Sequence, residues 1–208
     1  FLEWVVRYLA KQGIRQAIIS TGYMAETVAG HFQSQPVSSV RTTCIAETEP
    51  LGTAGGFLHA SQTSGQTPPA WLVLNGDSLA FVPVLQLAAE LQDSRVSGVI
   101  AGVTVPDASR YGSIILGSKG ELLRFEEKRS GQGVINAGIY LFRHSLLREF
   151  PRRVPLSFEK DLFPALTSRP SCLKVRITNA SFLDIGTPES LPRAETFIAQ
   201  HESEFDRL

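Results

Sequence analysis

The chain is poor in the residues that most metal-binding, disulfide-stabilised or nucleic-acid-binding proteins depend on. Its 208 residues include two cysteines, Cys44 and Cys172, far apart and with no CxxC neighbour. That excludes a disulfide framework and a cysteine-built zinc site, and it fits a reducing cytoplasm. His31, His59, His144 and His201 are scattered singly, without HExxH or related spacing, so transition-metal chemistry has no visible ligand set. Lysine plus arginine number 20 and aspartate plus glutamate 20, with no dense basic block, which argues against nucleic acid or an anionic membrane surface as the partner. No apolar run has bilayer-spanning length, and the opening FLEWVVRYLA does not read as a secretory leader. Internal repeats and low-complexity segments are absent as well.

What is present is a globular composition. At 43% hydrophobic and 208 residues, the chain can bury a substantial core, and it reads as one domain spanning 1–208. Phe1, Leu2, Val5, Val6 and Leu9 keep helical spacing from the first residue with no capping Ser, Thr, Asp or Asn before them, so the opening reads as a helix whose entry has been cut away. Gly13 suits its C-terminal cap. Short apolar runs at 17–20, 40–46, 71–74 and 96–105 alternate with helical patterns at 25–32, after 53, and at 84–91. This order predicts an α/β fold, a Rossmann-like, mixed but mostly parallel sheet flanked by helices. The pattern then changes. Residues 111–128 read as a hairpin about Gly117-Ser118-Lys119-Gly120, and 134–142 as another buried strand. Helices near Leu146 and over 159–166 and a strand at 173–177 follow. A last helix after DIGTP would take Thr187 and Pro188 as N-cap and first-turn residues.

Polar residues gather where strands end, which is where open α/β sheets bind ligands. LNGD places Asp77 at the tip of 71–74, a run read as buried. Asn-Gly-Asp is ordinary turn chemistry, and it is also a way to present a carboxylate to a cation. Asp184, in FLDIGTP, ends a second extended stretch, and two such carboxylates on one sheet edge suit Mg²⁺, a hard ion that completes its shell with phosphates. PLGTAGG, 50–56, opens a helix with glycines that permit close backbone approach to a flat or anionic group. Glu127 and Lys128 end the strand after the hairpin. Asn136 and Gly138 interrupt the following apolar run, and a buried amide there is either satisfied internally or offers donors to a polyhydroxylated ligand.

LGTAGG, LVLNGD, RYGSI, FEEK, NAGIY and LDIGTPE, in that order over some 140 residues, resemble the sugar-1-phosphate nucleotidyltransferases. GIRQAIISTGYMAETVAGHF is similar to the early segment of the same family, so the likeness covers nearly the whole chain. FLEWVVRYLAKQG, SRYG, LSFEKDLFP and FLDIGTPE look most like the branch that makes nucleotide-activated heptoses, the D-glycero-D-manno-heptose 1-phosphate guanylyltransferases. The resemblance implies the nucleotide-diphospho-sugar transferase fold. It also implies that Gly52 and Thr53 line the nucleoside base, that Asp77 and Asp184 hold Mg²⁺, that Glu127 and Lys128 hold the sugar hydroxyls and phosphate, and that Gly112 and Asn136 contact the sugar. Asp77, Asp184 and Lys128 would be the catalytic set, with Asp77 also facing the nucleotide. The family's first strand and its Gly-rich phosphate loop, GGxGTRL, have no counterpart here and would stand before Phe1.

The implied partners are a nucleoside triphosphate and a sugar 1-phosphate. The implied product is a nucleotide sugar, such as a GDP-heptose for surface polysaccharide. Without the phosphate loop, the chain as it stands is expected to bind triphosphate poorly or to be inert. Two other readings stay open: a non-catalytic nucleotide-sugar-binding or regulatory paralogue, and a metal-dependent glycosyltransferase. The latter usually presents an acidic-x-acidic pair, which NGD lacks. Exposed apolar residues are compatible with a homo-oligomer.

Overall fold

A computed structural model describes residues 1–126, 130–168 and 172–206. The helices are α1 (Leu2–Lys11), α2 (Ala25–Ser34), α3 (Thr53–Thr63), α4 (Val84–Glu90), α5 (Phe163–Thr167) and α6 (Arg193–Gln200). The strands are β1 (Gln16–Thr21), β2 (Arg41–Ala46), β3 (Ala70–Leu74), β4 (Ser78–Ala80), β5 (Gly98–Val105), β6 (Ser113–Leu116), β7 (Leu122–Glu126), β8 (Gly133–Arg143), β9 (Leu173–Thr178) and β10 (Phe182–Asp184). The chain packs as two compact units, one formed by Phe1–Gln66, Arg153–Leu156 and Leu183–Leu208, the other by Thr67–Arg152 and Ser157–Phe182. No helix among the described residues is long and apolar enough to cross a membrane.

In the first unit, α1 buries Val5, Val6, Leu9 and Ala10, and Gly13 at φ 86° ends it, its amide donating to the Ala10 carbonyl. The strands β1 and β2 are parallel, from Gln16 opposite Arg41 to Thr21 opposite Ala46, with α2 as the crossover that parallel pairing requires. Val6, Ala10, Ile19, Phe32, Val37 and Val40 form the core between them. The C-terminal segment closes on α1: Trp4 meets Phe205 edge to face at 5.0 Å, and the Asp206 amide donates to the Arg7 carbonyl. The last helix starts later than its sequence suggests. Thr187 and Ser190 bond each other in a turn, Leu191 donates to the Thr187 carbonyl, and α6 begins only after Pro192. Pro192 has no amide proton to donate back to residue 188, so a helix starting at Thr187 would be interrupted in its second turn.

The second unit is built on β8. Along one edge β8 pairs antiparallel with β5; along the other it meets β6 at Ile135 and then β3 over 139–143. The switch falls at Gly138, whose φ of 69° belongs to glycine. Here the β5 register jumps from Ile100 opposite Tyr140 to Gly102 opposite Asn136, so β8 bulges by two residues. The sheet is mixed: β3, β5, β6 and β9 run one way and β7 and β8 the other. Neighbouring pairs are mainly antiparallel, because β8 lies among them, and β5 with β9 is the parallel pair. Both faces are covered. Ile135, Ala137, Ile139 and Leu141 pack with Val99, Ala101, Val103, Leu87 and Val82, whereas Tyr140 and Phe142 face Phe158 and Phe163. Residues 71–74, read as a buried strand, are half-buried; β8 is the strand β3 pairs with among the described residues, and Ala70, Leu72 and Leu74 supply its core face.

Candidate active site

At the start of α3, glycine is required by the protein's own backbone. Gly52 lies at φ 77°, ψ 167°, a region open essentially to glycine alone, and a Cβ there would stand 2.6 Å from the Leu156 carbonyl oxygen. That oxygen accepts the amides of both Ala54 and Gly55, at 2.9 and 3.1 Å. Two of the amides that a helix start leaves without intrahelical partners are therefore already satisfied, which leaves less of the anion-binding capacity such a terminus can offer. Glu47 holds the loop from the other side, one carboxylate oxygen accepting the Leu51 amide at 3.1 Å and the other the Ser20 hydroxyl at 3.0 Å. Gly52 and Thr53 are left exposed at the helix entrance. Asp184, in the same unit, is half-buried, and its Oδ1 accepts the Gly186 amide at 3.1 Å, which turns the chain away from β10.

The second unit carries the denser polar cluster. The tip of β3 is seated in the β8 bulge: the Asn75 amide donates to the Gly138 carbonyl at 2.8 Å, and a Cβ on Gly138 would lie 2.6 Å from the Asn75 side-chain nitrogen. Gly76 and Asp77 then project as exposed residues ahead of the buried Ser78, Leu79 and Ala80. Ser78 donates its hydroxyl to Asp77 Oδ1 at 3.1 Å. Asn136 is satisfied internally. Its Nδ2 donates to Tyr140 Oη at 2.8 Å and to Glu159 Oε1 at 2.6 Å, while its Oδ1 accepts the Gly138 amide at 3.0 Å. Burial pushes the Tyr140 phenol well above its ordinary range against the lowering effect of the Asn136 bond, and the charges of Glu159 and Asp77 push it further. Tyr140 is therefore held as a neutral hydroxyl at neutral pH. Gly112 is exposed just before β6, and among the described residues the nearest atom to a Cβ there would be the Glu126 carbonyl oxygen at 3.9 Å. Glu127 and Lys128 lie outside the described residues.

Sequence reasoning missed Glu47, Leu156, Tyr140 and Glu159. ETEPLGTAGG displays Glu47, but nothing local says that its carboxylate reaches back to Ser20. Leu156 is an apolar residue whose contribution is its backbone. Tyr140 reads as core, and Glu159 sits in LSFEKDLFP, where Ser157 accepts the Lys160 amide at 3.3 Å and Asp161 accepts the Ser157 amide at 2.7 Å. That reciprocal capping is a detectable helix start, and it places Glu159 in the first turn.

Each unit exposes residues of this kind near the end of an element: Asp77 after β3 in one, Gly52 and Thr53 at the start of α3 in the other. A sequence profile of the Nucleotidyl transferase family matches residues 1–201, and the chain belongs to that family. Among its relatives is a D-glycero-alpha-D-manno-heptose 1-phosphate guanylyltransferase of Campylobacter jejuni subsp. jejuni, 32% identical over 193 residues, covering 91% of this chain and 81% of that one. The catalytic subunit beta of a mannose-1-phosphate guanylyltransferase from Drosophila pseudoobscura pseudoobscura is 32% identical over 184 residues, 87% of this chain. This chain spans about half (49%) of that relative's length. The crystal structure of HddC from Yersinia pseudotuberculosis complexed with GMP-PN superposes with a TM-score of 0.83 at 30% identity, covering 95% of this chain and 85% of that one.

Proposed function

We propose that the protein transfers a nucleotidyl group from a nucleoside triphosphate to a sugar 1-phosphate, with GTP and D-glycero-D-manno-heptose 1-phosphate as the substrate pair. The observation that carries this reading is the match to the Nucleotidyl transferase family across residues 1–201, in which the exposed Asp77 sits in the turn after β3. The heptose relative, matched over 81% of its own length, supports the choice of sugar and base. In the reaction, a phosphate oxygen of the sugar 1-phosphate bonds to the α-phosphorus of the triphosphate. The bond from that phosphorus to the oxygen bridging it to the β-phosphorus breaks, and pyrophosphate leaves with the electron pair.

No protein nucleophile is needed, so the chain's task is to align two anions and offset their charge. Gly52 and Thr53, exposed at the start of α3, are assigned to the base. Gly112 supports a sugar role because neither its backbone nor its surroundings among the described residues demand glycine. Glu127 and Lys128 are assigned to the sugar hydroxyls and its phosphate, and Asn136 to the sugar side of the site. Asp77 and Asp184 are assigned to a divalent cation, Mg²⁺, which when bound would neutralise charge on the reacting phosphates. Their chemistry fits a hard ion: both are carboxylates, and Asp77 is exposed with a single hydroxyl on Oδ1. Among the described residues no group of three or more His, Cys, Asp or Glu could hold a metal by itself, so substrate phosphates and water would complete the shell.

Pyrophosphate release, screened with four nucleoside triphosphates against heptose, mannose and glucose 1-phosphates, tests the assignment. The expected result is turnover with GTP and the heptose phosphate. A clear preference for glucose 1-phosphate would refute the choice of sugar, and absence of turnover with every pair in a chain extended by a Gly-rich phosphate loop would refute the activity.

A further inference from the structure

We propose that Asn75 hydrogen-bonds a hydroxyl of the sugar phosphate and so helps to decide which sugar the protein accepts. The inference rests on the sugar-phosphate reading above, and it adds a residue to that side of the site.

A bond that is not made sets Asn75 apart. An Asn or Asp in a tight turn ordinarily ties its side-chain oxygen to the backbone amide two residues on. Three aspartates of this protein do so: Asp93 accepts the Arg95 amide, Asp107 the Ser109 amide and Asp184 the Gly186 amide. Asn75 opens the Asn75-Gly76-Asp77 turn, yet its carboxamide makes no hydrogen bond among the described residues. Two N–H donors and a carbonyl oxygen are therefore unspent.

Shape holds that carboxamide in place. The Asn75 backbone amide donates to the Gly138 carbonyl at 2.8 Å, and a Cβ on Gly138 would lie 2.6 Å from Asn75 Nδ2, 2.8 Å from its Cγ and 3.0 Å from its Cβ. The side chain lies, half-buried, where the missing Cβ of Gly138 leaves room for it. Its neighbours are assigned to both halves of the reaction. Asp77, two residues on, is assigned to the cation, and Asn136, whose Oδ1 accepts the Gly138 amide at 3.0 Å, to the sugar. A neutral group that both donates and accepts matches a hydroxyl, which does the same, whereas a phosphate only accepts and is better served by a cation. An analogue without that hydroxyl would leave the carboxamide unpaired, which is how a single polar contact discriminates between sugars.

The test is a cycle that pairs a protein variant with substrate analogues, run as steady-state kinetics with GTP in the chain extended by a Gly-rich phosphate loop. Asn75→Ala should lower kcat/KM for the heptose phosphate about tenfold or more, while KM for GTP holds. Deoxy analogues of the sugar phosphate, each lacking one hydroxyl, identify the partner: one of them should be a poor substrate for the parent and cost Asn75→Ala nothing further. The proposal is overturned if every analogue loses the same factor in both proteins, or if Asn75→Ala matches the parent on the complete sugar. If Asn75→Ala does not fold, Asn75→Ser, which keeps more of the side chain, takes its place in the same cycle. Absence of sugar-phosphate-dependent turnover in the unaltered loop-extended protein overturns this inference and the function together, whereas normal turnover without coupling to any hydroxyl overturns this inference only.

Discussion

Gly52 and Gly112 are both glycines to which the family resemblance gives ligand roles, and the protein treats them differently. At Gly52 the backbone conformation and the Leu156 carbonyl oxygen, 2.6 Å from where a Cβ would lie, each require glycine with no ligand present. At Gly112 the backbone is ordinary and, among the described residues, the nearest atom to a Cβ is 3.9 Å away. A glycine that the fold demands says little about what binds beside it. One that the fold does not demand is better evidence that something else needs the space, and by that measure Gly112 is the more informative of the two.

The same division applies to the carboxylates and gives the largest expected effect. Asp77 is exposed at the tip of β3 with one hydroxyl bond, so the fold does not depend on it. Asp77→Ala should leave the melting temperature nearly unchanged and lower pyrophosphate release by several orders of magnitude, because the cation's charge acts on the reacting phosphates. Near wild-type turnover with Mg²⁺ as the only metal would break the assignment. Gly52→Ala should show the reverse pattern. Strain in a glycine-only region and overlap with backbone should together cost about 3 kcal/mol or more of stability, measured by denaturant unfolding. A variant as stable as the parent would mean that Leu156 can withdraw.

Gly112→Ala is the smaller and more selective change. Stability should move by less than about 1 kcal/mol, since among the described residues the methyl group meets nothing closer than ordinary van der Waals distance. KM for the sugar phosphate should rise while KM for GTP holds. Equal losses for both substrates would remove Gly112 from the sugar side of the site.

Sequence alone revealed much of this fold and less of its site. Strand and helix positions followed from hydrophobic period, and Gly13 and the 117–120 turn from residue chemistry that acts over a few positions. The location of β8 among β3, β5 and β6 was not visible, because strand order is set by contacts far apart in the chain and leaves no local pattern. Asn136 marks the limit well. Its polarity within an apolar run was evident, but whether its donors faced a ligand or the protein depended on Glu159, 23 positions away. The late start of α6 could have been anticipated, since Pro192 stands in the sequence and cannot serve the second turn of a helix begun at Thr187.

The smallest effect belongs to a charge that neither the site nor the core uses. Asp93, in the loop after α4, accepts the Arg95 guanidinium at 2.8 and 3.1 Å and the Arg95 amide at 3.0 Å. Those bonds, the side-chain ones foremost, hold its carboxyl down at about 2 from an ordinary 3.8. A carboxyl depressed in the folded state contributes stability above its unfolded value, and that contribution is lost as pH falls through the folded one. Asp93→Asn should therefore lower the melting temperature slightly at neutral pH, by far less than Gly52→Ala. The gap from the parent protein should close as pH is taken from about 4 to about 2. Melting both proteins across that range checks it. A gap that persists at pH 2 would show that Asp93 contributes through the loop's geometry rather than its charge, and would move it to the side of the comparison on which Gly52 stands.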